Sequence, residues 1–336
     1  MKILIVSLGS IGKRHFKNAS QLIPNAEFAF LRHKKSIEDP LFSNCKFFYS
    51  LKEAVSFKPE IVIVSSPASL HKFHSLPFIN KGINIFIEKP LEIIFNQTKT
   101  LVNAAKKSNS FSMVGYVLRF QPIFRKIKEI IDSEYLGKIY LATIHTGQYL
   151  PDWRPNDDYK KGVSANKKLG GGVLLELSHE IDYAQWLFGK PTSIYSSHNK
   201  FSNLDLDVED NANIIFEYPN KRVNLQIDFL SRVPKMKLQI IGSEKILEAD
   251  LIKEKIEIQS ASKTEYIHDE IKMKNFNEIY LRQFDFFFSK SMPDYKPLFK
   301  ETNNFSEFSS IDNAAYVIKL IDMANLSNLK GKKIFI

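Results

Sequence analysis

The stretch KILIVSLGSIGKRH, Lys2–His15, starts as a nearly continuous apolar run and passes through small residues into a helix-forming segment. An apolar run without alternation is typical of a strand that is buried on both faces of a parallel sheet. Similar runs alternate with helical segments as far as Phe120, which predicts a doubly wound parallel α/β sheet of the Rossmann type. The predicted strands are Lys2–Leu8, Glu27–Arg32, Lys46–Ser50, Glu60–Ser66, Ile83–Glu88 and Ser112–Tyr116.

The turn after the first strand carries two of the three glycines of a dinucleotide-binding fingerprint. Gly9 and Gly12 stand where the second glycine admits the pyrophosphate and the third lets helix and strand pack closely, whereas Ser7 stands in the first position. We expect a negative φ at Ser7, because only a positive φ would strongly favour glycine. The segment Ser7–Gly12, including Ser10 and Ile11, is therefore a candidate cofactor site, and an ordinary strand-to-helix turn of small residues is the alternative.

The end of the second predicted strand bears on the type of cofactor. It reads FLRHKKS, Phe30–Ser36, and no acidic residue follows until Glu38. An acid there would bind the ribose hydroxyls of NAD, whereas a basic residue accommodates the additional phosphate of NADP. Arg32 and His33, with Lys34 or Lys35 nearby, therefore favour NADP over NAD, and a solvated basic loop is the alternative.

Length and composition limit the class of protein. A chain of 336 residues is long enough for two domains, and no apolar run reaches the length of a membrane span. The net charge of +10 raises the question of nucleic acid, but we find no zinc-finger spacing, basic heptad region or RNA-binding aromatic motif. We therefore expect no nucleic-acid partner and no membrane association. The single cysteine, Cys45, and the absence of a signal-peptide pattern favour a cytoplasmic protein.

After Phe120 the pattern changes, so we predict domains at 1–120 and 121–336. A predicted helix at 122–133 leads to a long strand, a polar loop and one strong helix at 173–188. Strands without intervening helices follow, with turns at Pro219–Lys221 and Gly242–Lys245. The second domain is therefore predicted to be α+β with a large open, mostly antiparallel or mixed sheet, and helices near 278–290 and 310–323 end the chain.

Three segments resemble the Gfo/Idh/MocA family of NAD(P)-dependent oxidoreductases. They are SSPASLHKFHSLPFINKGINIFIEKPLEI (Ser65–Ile93), GYVLRFQP (Gly115–Pro122) and GGGVLLELSHEID (Gly170–Asp182), and their order covers nearly the whole chain. Within the family, YLPDWRP at Tyr149–Pro155 together with the segment around the triple glycine resembles a branch associated with bacterial surface-sugar biosynthesis.

The resemblance implies hydride transfer between a nicotinamide and a hydroxyl-bearing carbon of a sugar, aminosugar or nucleotide sugar. It also implies a homodimer or homotetramer formed through the second domain. Further cofactor contacts are implied at Ser65, Ser66, Pro67, His71, Glu88 and Lys89. A dinucleotide-binding regulator that has lost its chemistry is the alternative function.

Lys89 and His179 are the predicted catalytic residues. Lys89 follows a strand at the edge of the sheet where ligands bind, and it can exchange the proton that must leave or reach the substrate oxygen. A helix-start turn is the alternative for Glu-Lys-Pro, and Pro90 is a candidate for a cis bond.

His179 shares a predicted helix face with Glu176, and a structural histidine is the alternative. Many family members carry an acid four residues before this histidine, whereas here Glu176 lies three before it.

The remaining candidates are substrate contacts. Tyr116 and Arg119 follow the sixth predicted strand, and Arg119 is suited to a carboxylate or phosphate. Trp153, Arg154 and Tyr159 lie in the polar loop before the glycines, which either binds a sugar or simply covers the boundary between the domains. We expect no metal, because His71, His74 and His145 lack ligand spacing to a carboxylate or cysteine.

Overall fold

The computed structural model describes residues 1–33, 40–268, 271–299 and 307–336. The strands are β1 (Lys2–Val6), β2 (Glu27–Leu31), β3 (Lys46–Phe48), β4 (Ile61–Val64), β5 (Asn84–Ile87), β6 (Ser112–Val114), β7 (Ile139–Gly147), β8 (Ser193–Asn199), β9 (Asn211–Glu217), β10 (Arg222–Asp228), β11 (Lys235–Gly242), β12 (Ile246–Asp250), β13 (Lys255–Gln259), β14 (Thr264–Ile267) and β15 (Ile334–Phe335). The helices are α1 (Ser10–Leu22), α2 (Leu51–Ser56), α3 (His71–Ile79), α4 (Phe95–Lys107), α5 (Pro122–Asp132), α6 (Val173–Glu176), α7 (Ser178–Phe188), α8 (Glu278–Ser291) and α9 (Ile311–Lys330).

The chain divides into two compact units, and one boundary between them falls after Phe120. The first unit contains Met1–Phe120 and Asn275–Ile318, and the second contains Gln121–Lys274 and Lys319–Ile336. The segment 275–318, which the sequence placed in the second domain, therefore returns to the first unit. The physical reason is the aromatic run on α8, where Phe284, Phe286 and Phe287 are fully buried in the core of the first unit.

The first unit contains a parallel sheet of six strands among the described residues, in the order β3-β2-β1-β4-β5-β6. This order confirms the predicted doubly wound fold. The chain starts in the centre of the sheet at β1, whose neighbours are β2 and β4, so the strand order reverses there. Ligands of such sheets bind outside the carboxyl ends of the strands at this reversal, which is where the turn after β1 lies.

The second unit contains a mixed sheet of nine strands within the described ranges, in the order β14-β13-β12-β11-β7-β10-β9-β8-β15. Its neighbouring strands are antiparallel except for β7 and β10, which run parallel, so the predicted mostly antiparallel α+β architecture is confirmed. β13, β14 and β15 were not predicted. Each is short, with only two apolar residues in β13 and two residues in all in β15, so the pattern is too brief to mark a strand.

The predicted single helix at 173–188 is two helices in the structure. α6 ends at Glu176, and α7 begins at Ser178 after Leu177, whose φ of −94° and ψ of 30° lie outside the helical region. The prediction was wrong at this point because an unbroken apolar periodicity does not report one residue of irregular backbone. The break means that the spacing from Glu176 to His179 does not follow the geometry of a regular helix.

Candidate functional site

Ser7 adopts a positive φ of 74°, so the expectation of a negative φ was wrong. Its backbone N–H donates to Leu31 O at 2.9 Å, which ties the turn after β1 to the end of β2. A left-handed conformation costs a residue other than glycine about 1–2 kcal/mol. The chain therefore keeps the turn that the missing glycine would provide, and it does so with serine at an energetic cost.

Gly9 and Gly12 differ in the space around them. A Cβ atom at Gly12 would lie 2.5 Å from Ser7 O and 2.8 Å from Ser65 Oγ, so only glycine allows α1 to pack so close to the strands. A Cβ atom at Gly9 would meet nothing within 4 Å. Gly9 is also the residue that precedes α1, and no side chain caps the free N–H groups there. An open glycine beside an uncapped helix N-terminus fits a pyrophosphate.

The next residues of the predicted cofactor site lie around this turn and at the end of β2. Ser10 is exposed and Ile11 is half-buried at the start of α1. Arg32 is half-buried directly after β2, and its backbone N–H donates to Phe48 O at 2.9 Å. His33 is exposed, whereas Lys34 and Lys35 lie outside the described residues.

Two serine hydroxyl groups in the turn after β4 form hydrogen bonds within the protein. Ser65 Oγ donates to Val6 O at 2.9 Å, and Ser66 Oγ lies 3.0 Å from Nδ1 of His74. Both serines are buried, whereas Pro67 is half-buried. The Ser65 hydroxyl thus connects this turn to the end of β1 and the Ser66 hydroxyl connects it to α3, and the cofactor contacts of both serines stay predictions.

His71 connects the turn after β4 to the segment after β5. Its Nε2 lies 2.7 Å from Ser66 O and its Nδ1 lies 2.9 Å from Pro90 O. The ring is buried, and this burial lowers the pKa of His71 even though both carbonyl groups favour a proton. His71 thus holds the Pro90 backbone in place, and its direct contact with the cofactor stays a prediction.

The Glu88-Lys89-Pro90 segment leaves β5 at the carboxyl edge of the sheet. The Lys89–Pro90 peptide bond is cis, as the sequence analysis considered for Pro90. Lys89 is half-buried. Glu88 is buried, and its two oxygens bind His15 Nε2 at 2.6 Å and the Lys89 N–H at 3.0 Å. Burial is the largest single influence and raises the pKa of Glu88, but the hydrogen bonds and charges of His15 and Lys89 together outweigh it, so the pKa is lowered.

In the second unit, His179 is half-buried in the first turn of α7. Glu176 ends α6, and its Oε2 accepts a hydrogen bond from Ser164 Oγ at 3.0 Å. This bond connects the helix to the loop before the triple glycine. Gly171 is required by the same packing, because a Cβ atom there would lie 2.2 Å from Val163 O.

The predicted substrate loop is held by contacts within the second unit. Trp153 Nε1 donates to Gln148 O at 3.2 Å, and its ring packs edge-on against Phe229. Tyr159 accepts a hydrogen bond from the Asp205 N–H at its hydroxyl, at 3.1 Å. Arg154 is exposed. The structure thus gives Trp153 and Tyr159 supporting contacts in this loop, whereas Arg154 presents its side chain to solvent.

Tyr116 and Arg119 are both buried. Nη1 of Arg119 donates to Glu307 O at 3.0 Å and lies 3.4 Å from Phe308 O, so the guanidinium fixes the chain before α9. A contact of these residues with a substrate stays a prediction. The guanidinium carries five N–H donors, so bonds to backbone carbonyl groups account for part of its hydrogen-bonding capacity.

Two residues beside the Glu88 carboxylate were not predicted. His15 binds the carboxylate, and Gly115 leaves the space that the carboxylate needs. The signal for His15 was a polar residue on the buried face of α1, three positions after Gly12. Within the described ranges, no group of three His, Cys, Asp or Glu residues is arranged to hold a metal. None of the described helices is long and apolar enough to cross a membrane.

Two family models match the chain in tandem. Residues 1–116 match "Oxidoreductase family, NAD-binding Rossmann fold", and residues 124–248 match "GFO/IDH/MocA C-terminal domain". Among curated proteins, the chain is 26% identical to scyllo-inositol 2-dehydrogenase (NAD(+)) of Bacillus subtilis (strain 168), over 60% of this chain and 58% of the relative. The matched part spans about half the length of the curated relatives.

Two solved structures share the fold over the full chain. Levoglucosan dehydrogenase in complex with NADH and L-sorbose gives a TM-score of 0.84 at 15% identity, and the match covers 100% of this chain and 98% of that one. GenD2 from gentamicin A biosynthesis in complex with NAD gives a TM-score of 0.80 at 18% identity, and the match covers 100% of this chain and 96% of that one.

Proposed function

Because the chain belongs to the Gfo/Idh/MocA family of oxidoreductases, we propose that it is an NAD(P)-dependent dehydrogenase or reductase acting on a CH–OH group. The observation that carries the proposal is the open Gly9 turn before the uncapped α1, in the same parallel sheet that presents Lys89 after β5. The proposed substrate is a sugar, aminosugar or nucleotide sugar. The names of similar proteins, which mention inositol and levoglucosan, support a polyhydroxylated substrate.

The residues of this chain fit a bound nicotinamide dinucleotide. Gly9 and the first backbone N–H groups of α1 hold the pyrophosphate, and Arg32 lies beyond β2 where the adenosine ribose of such cofactors binds. The nicotinamide, when bound, accepts or supplies the hydride. Lys89 and His179 exchange the proton of the substrate oxygen, which leaves the hydroxyl in oxidation and returns in reduction.

We further propose a preference for NADP over NAD, carried by Arg32. No acidic residue stands among the described residues at the end of β2, and a guanidinium binds a phosphate through two parallel hydrogen bonds. Arg32→Ala should weaken NADPH binding about tenfold or more and leave NADH binding unchanged, because only NADPH loses a charged contact. Equal losses for both cofactors, or none, would contradict the assignment.

The experiment that tests the function has two stages. Fluorescence titration with NADPH and NADH first establishes binding, and a turnover screen with scyllo-inositol, levoglucosan, aminosugars and nucleotide sugars then identifies a substrate. On that substrate, Lys89→Met should lower kcat by at least about 100-fold, since it removes a general acid–base group. Lys107→Met, an exposed change on α4, is the matched control and should have no effect. Cofactor binding without turnover of any compound would favour the alternative of an inactive regulator.

A further inference from the structure

We infer that His15 and Glu88 form a buried positioning pair that links the cofactor-binding helix α1 to the backbone of Lys89. This inference rests on the proposed function in one respect only, namely that Lys89 acts on the substrate. The pair itself is a feature of the first unit. Neither residue is a catalytic residue in this proposal, because both act through Lys89.

The geometry of the pair uses both oxygens of the Glu88 carboxylate. His15 Nε2 lies 2.6 Å from Oε1, and the Lys89 N–H donates to Oε2 at 3.0 Å. The His15 side chain is fully buried and that of Glu88 nearly so. A short, charge-assisted bond that is shielded from water is stronger and better oriented than an exposed one. One carboxylate thus connects α1 to the residue that follows β5.

The space around the carboxylate is shaped for this arrangement. A Cβ atom at Gly115 would lie between 3.1 and 3.2 Å from the carboxyl carbon and both oxygens of Glu88, so any larger residue after β6 would push the carboxylate away. On the other side, the His15 ring packs edge-on against Phe86 and Phe284 at centroid distances of 5.4 and 4.9 Å. The rings leave His15 little freedom to turn away from Glu88.

The position of His15 on α1 connects the pair to the predicted cofactor site. His15 lies three residues after Gly12, and its helix begins at the turn that is open at Gly9. A displacement of α1 therefore reaches Glu88 through one hydrogen bond and Lys89 through a second one. The pair sets the place of the Lys89 backbone relative to the helix that holds the cofactor, and a misplacement of about 1 Å can cost about 100-fold in rate.

The first test separates positioning from stability. His15→Phe and Glu88→Leu each leave a buried polar partner alone and should destabilise the protein, whereas the double variant removes both polar groups and should recover stability. We expect kcat to fall about 10- to 100-fold in each single variant and to stay equally low in the double variant. The KM for the cofactor should change less than about threefold. Recovery of kcat together with stability would overturn the inference, because a merely structural pair behaves in that way.

Two further variants complete the activity test. Glu88→Gln keeps an acceptor for the Lys89 N–H and should retain most of the kcat that Glu88→Leu loses. Phe28→Leu, in the same core but packed against Phe16, is the control, since it lowers stability without touching the pair. A fall in kcat in Phe28→Leu as large as that in Glu88→Leu would show that kcat follows general stability and would overturn the inference.

A second readout does not depend on a substrate. Hydrogen exchange of the peptide that contains the Lys89 amide should be slow in the wild type and in Glu88→Gln. It should become at least about tenfold faster in the double variant at equal global stability, because the acceptor is gone. If the wild type turns over no compound but exchange behaves in this way, the proposed function fails and the pair stands. Unchanged exchange in the double variant would overturn the pair whatever the activity.

Discussion

At the scale of single residues, Ser7 makes the turn after β1 with a backbone conformation that favours glycine. Its φ of 74° is left-handed, and its N–H bond to Leu31 O holds it there. Replacement by glycine removes the steric cost, but it also increases the conformational entropy of the unfolded chain, which offsets part of the gain. Ser7→Gly should therefore raise the free energy of unfolding by about 0.5–1 kcal/mol, as measured by denaturant titration.

The matched control for this prediction is Ser7→Ala, which keeps a Cβ atom at the strained position. It should not gain stability, because the cost belongs to the Cβ atom and not to the hydroxyl group. A gain in Ser7→Ala equal to that in Ser7→Gly would show that the hydroxyl is the source of the cost. A loss of stability in Ser7→Gly would show that the observed φ carries no strain.

At the scale of elements, two glycines at the start of α1 differ in their surroundings. Gly12 packs against the protein, whereas Gly9, three residues before it, faces open space. Gly12→Ala puts a Cβ atom against Ser7 O and should lower the free energy of unfolding by about 1–3 kcal/mol. Gly9→Ala meets no protein atom within 4 Å, so it should leave stability unchanged and weaken NADH binding about tenfold or more. Denaturant titration and fluorescence titration of both variants measure the contrast.

The two variants serve as controls for each other, because each adds one methyl group near the start of α1. If Gly9→Ala bound NADH as tightly as the wild type, the open space at Gly9 would not be the pyrophosphate site. If Gly12→Ala were as stable as the wild type, α1 would have room to move away from β1, and the close approach would have no energetic role.

The elements also show how far a sequence predicts this fold. The parallel sheet was predictable because strands buried on both faces, such as Ile61–Val64, form unbroken apolar runs. The return of α8 to the first unit was not predictable. The apolar pattern around Phe284 shows that this side chain is buried, but it does not show which unit's core contains it. The break at Leu177 and the φ of Ser7 were missed because each depends on the path of the chain at one residue.

The same limit applies to the candidate site. Lys89 and Gly9 could be singled out from the sequence because proton transfer or close approach demands their residue types, and their roles stay predictions. The hydrogen bond from Arg119 to a backbone carbonyl group could not be predicted, since no sequence pattern reveals such a partner. The pairing of His15 with Glu88 joins residues 73 positions apart and becomes visible only when β5 lies beside α1.

At the scale of the whole molecule, four histidines with lowered pKa values predict that the stability of the fold decreases in acid. Burial lowers the pKa of His71, His74, His145 and His198, that of His74 from 6.5 to about 4. As the pH falls below about 6.5, the unfolded chain binds protons that the folded chain does not, so stability present above this pH is lost towards pH 4. For the fully buried His71 the loss is at most about 1.4 kcal/mol per pH unit.

Denaturant titration at several pH values between 7 and 4.5 measures this loss, and His74→Gln should make the dependence on pH shallower. Burial raises the pKa of Glu92 and Glu209, which therefore oppose the trend where they titrate above their ordinary value of 4.5. A dependence on pH as steep in His74→Gln as in the wild type would show that His74 does not contribute to the loss.

The open face of the sheet in the second unit bears on assembly, and we expect a homodimer or homotetramer formed through it. Along β11 to β13, Leu238, Leu247 and Ile256 are buried on one face, whereas Lys237, Glu248 and Lys255 are exposed on the other. Charges of both signs lie side by side, since Lys237 pairs in register with Asp250 and Asp250 with Lys255. A face of alternating charge complements a second copy of itself across a two-fold axis.

Lys237→Glu should weaken this association, because it places a negative charge beside Asp250 in a face that must match its own copy. Light scattering after gel filtration should give a multiple of the 38.8 kDa chain mass for the wild type and a lower mass, or dissociation at lower concentration, for the variant. Lys107→Glu on α4 introduces the same charge change in the first unit and should leave the mass unchanged. A monomeric wild type at all concentrations, or equal effects of both variants, would exclude this sheet face as the interface.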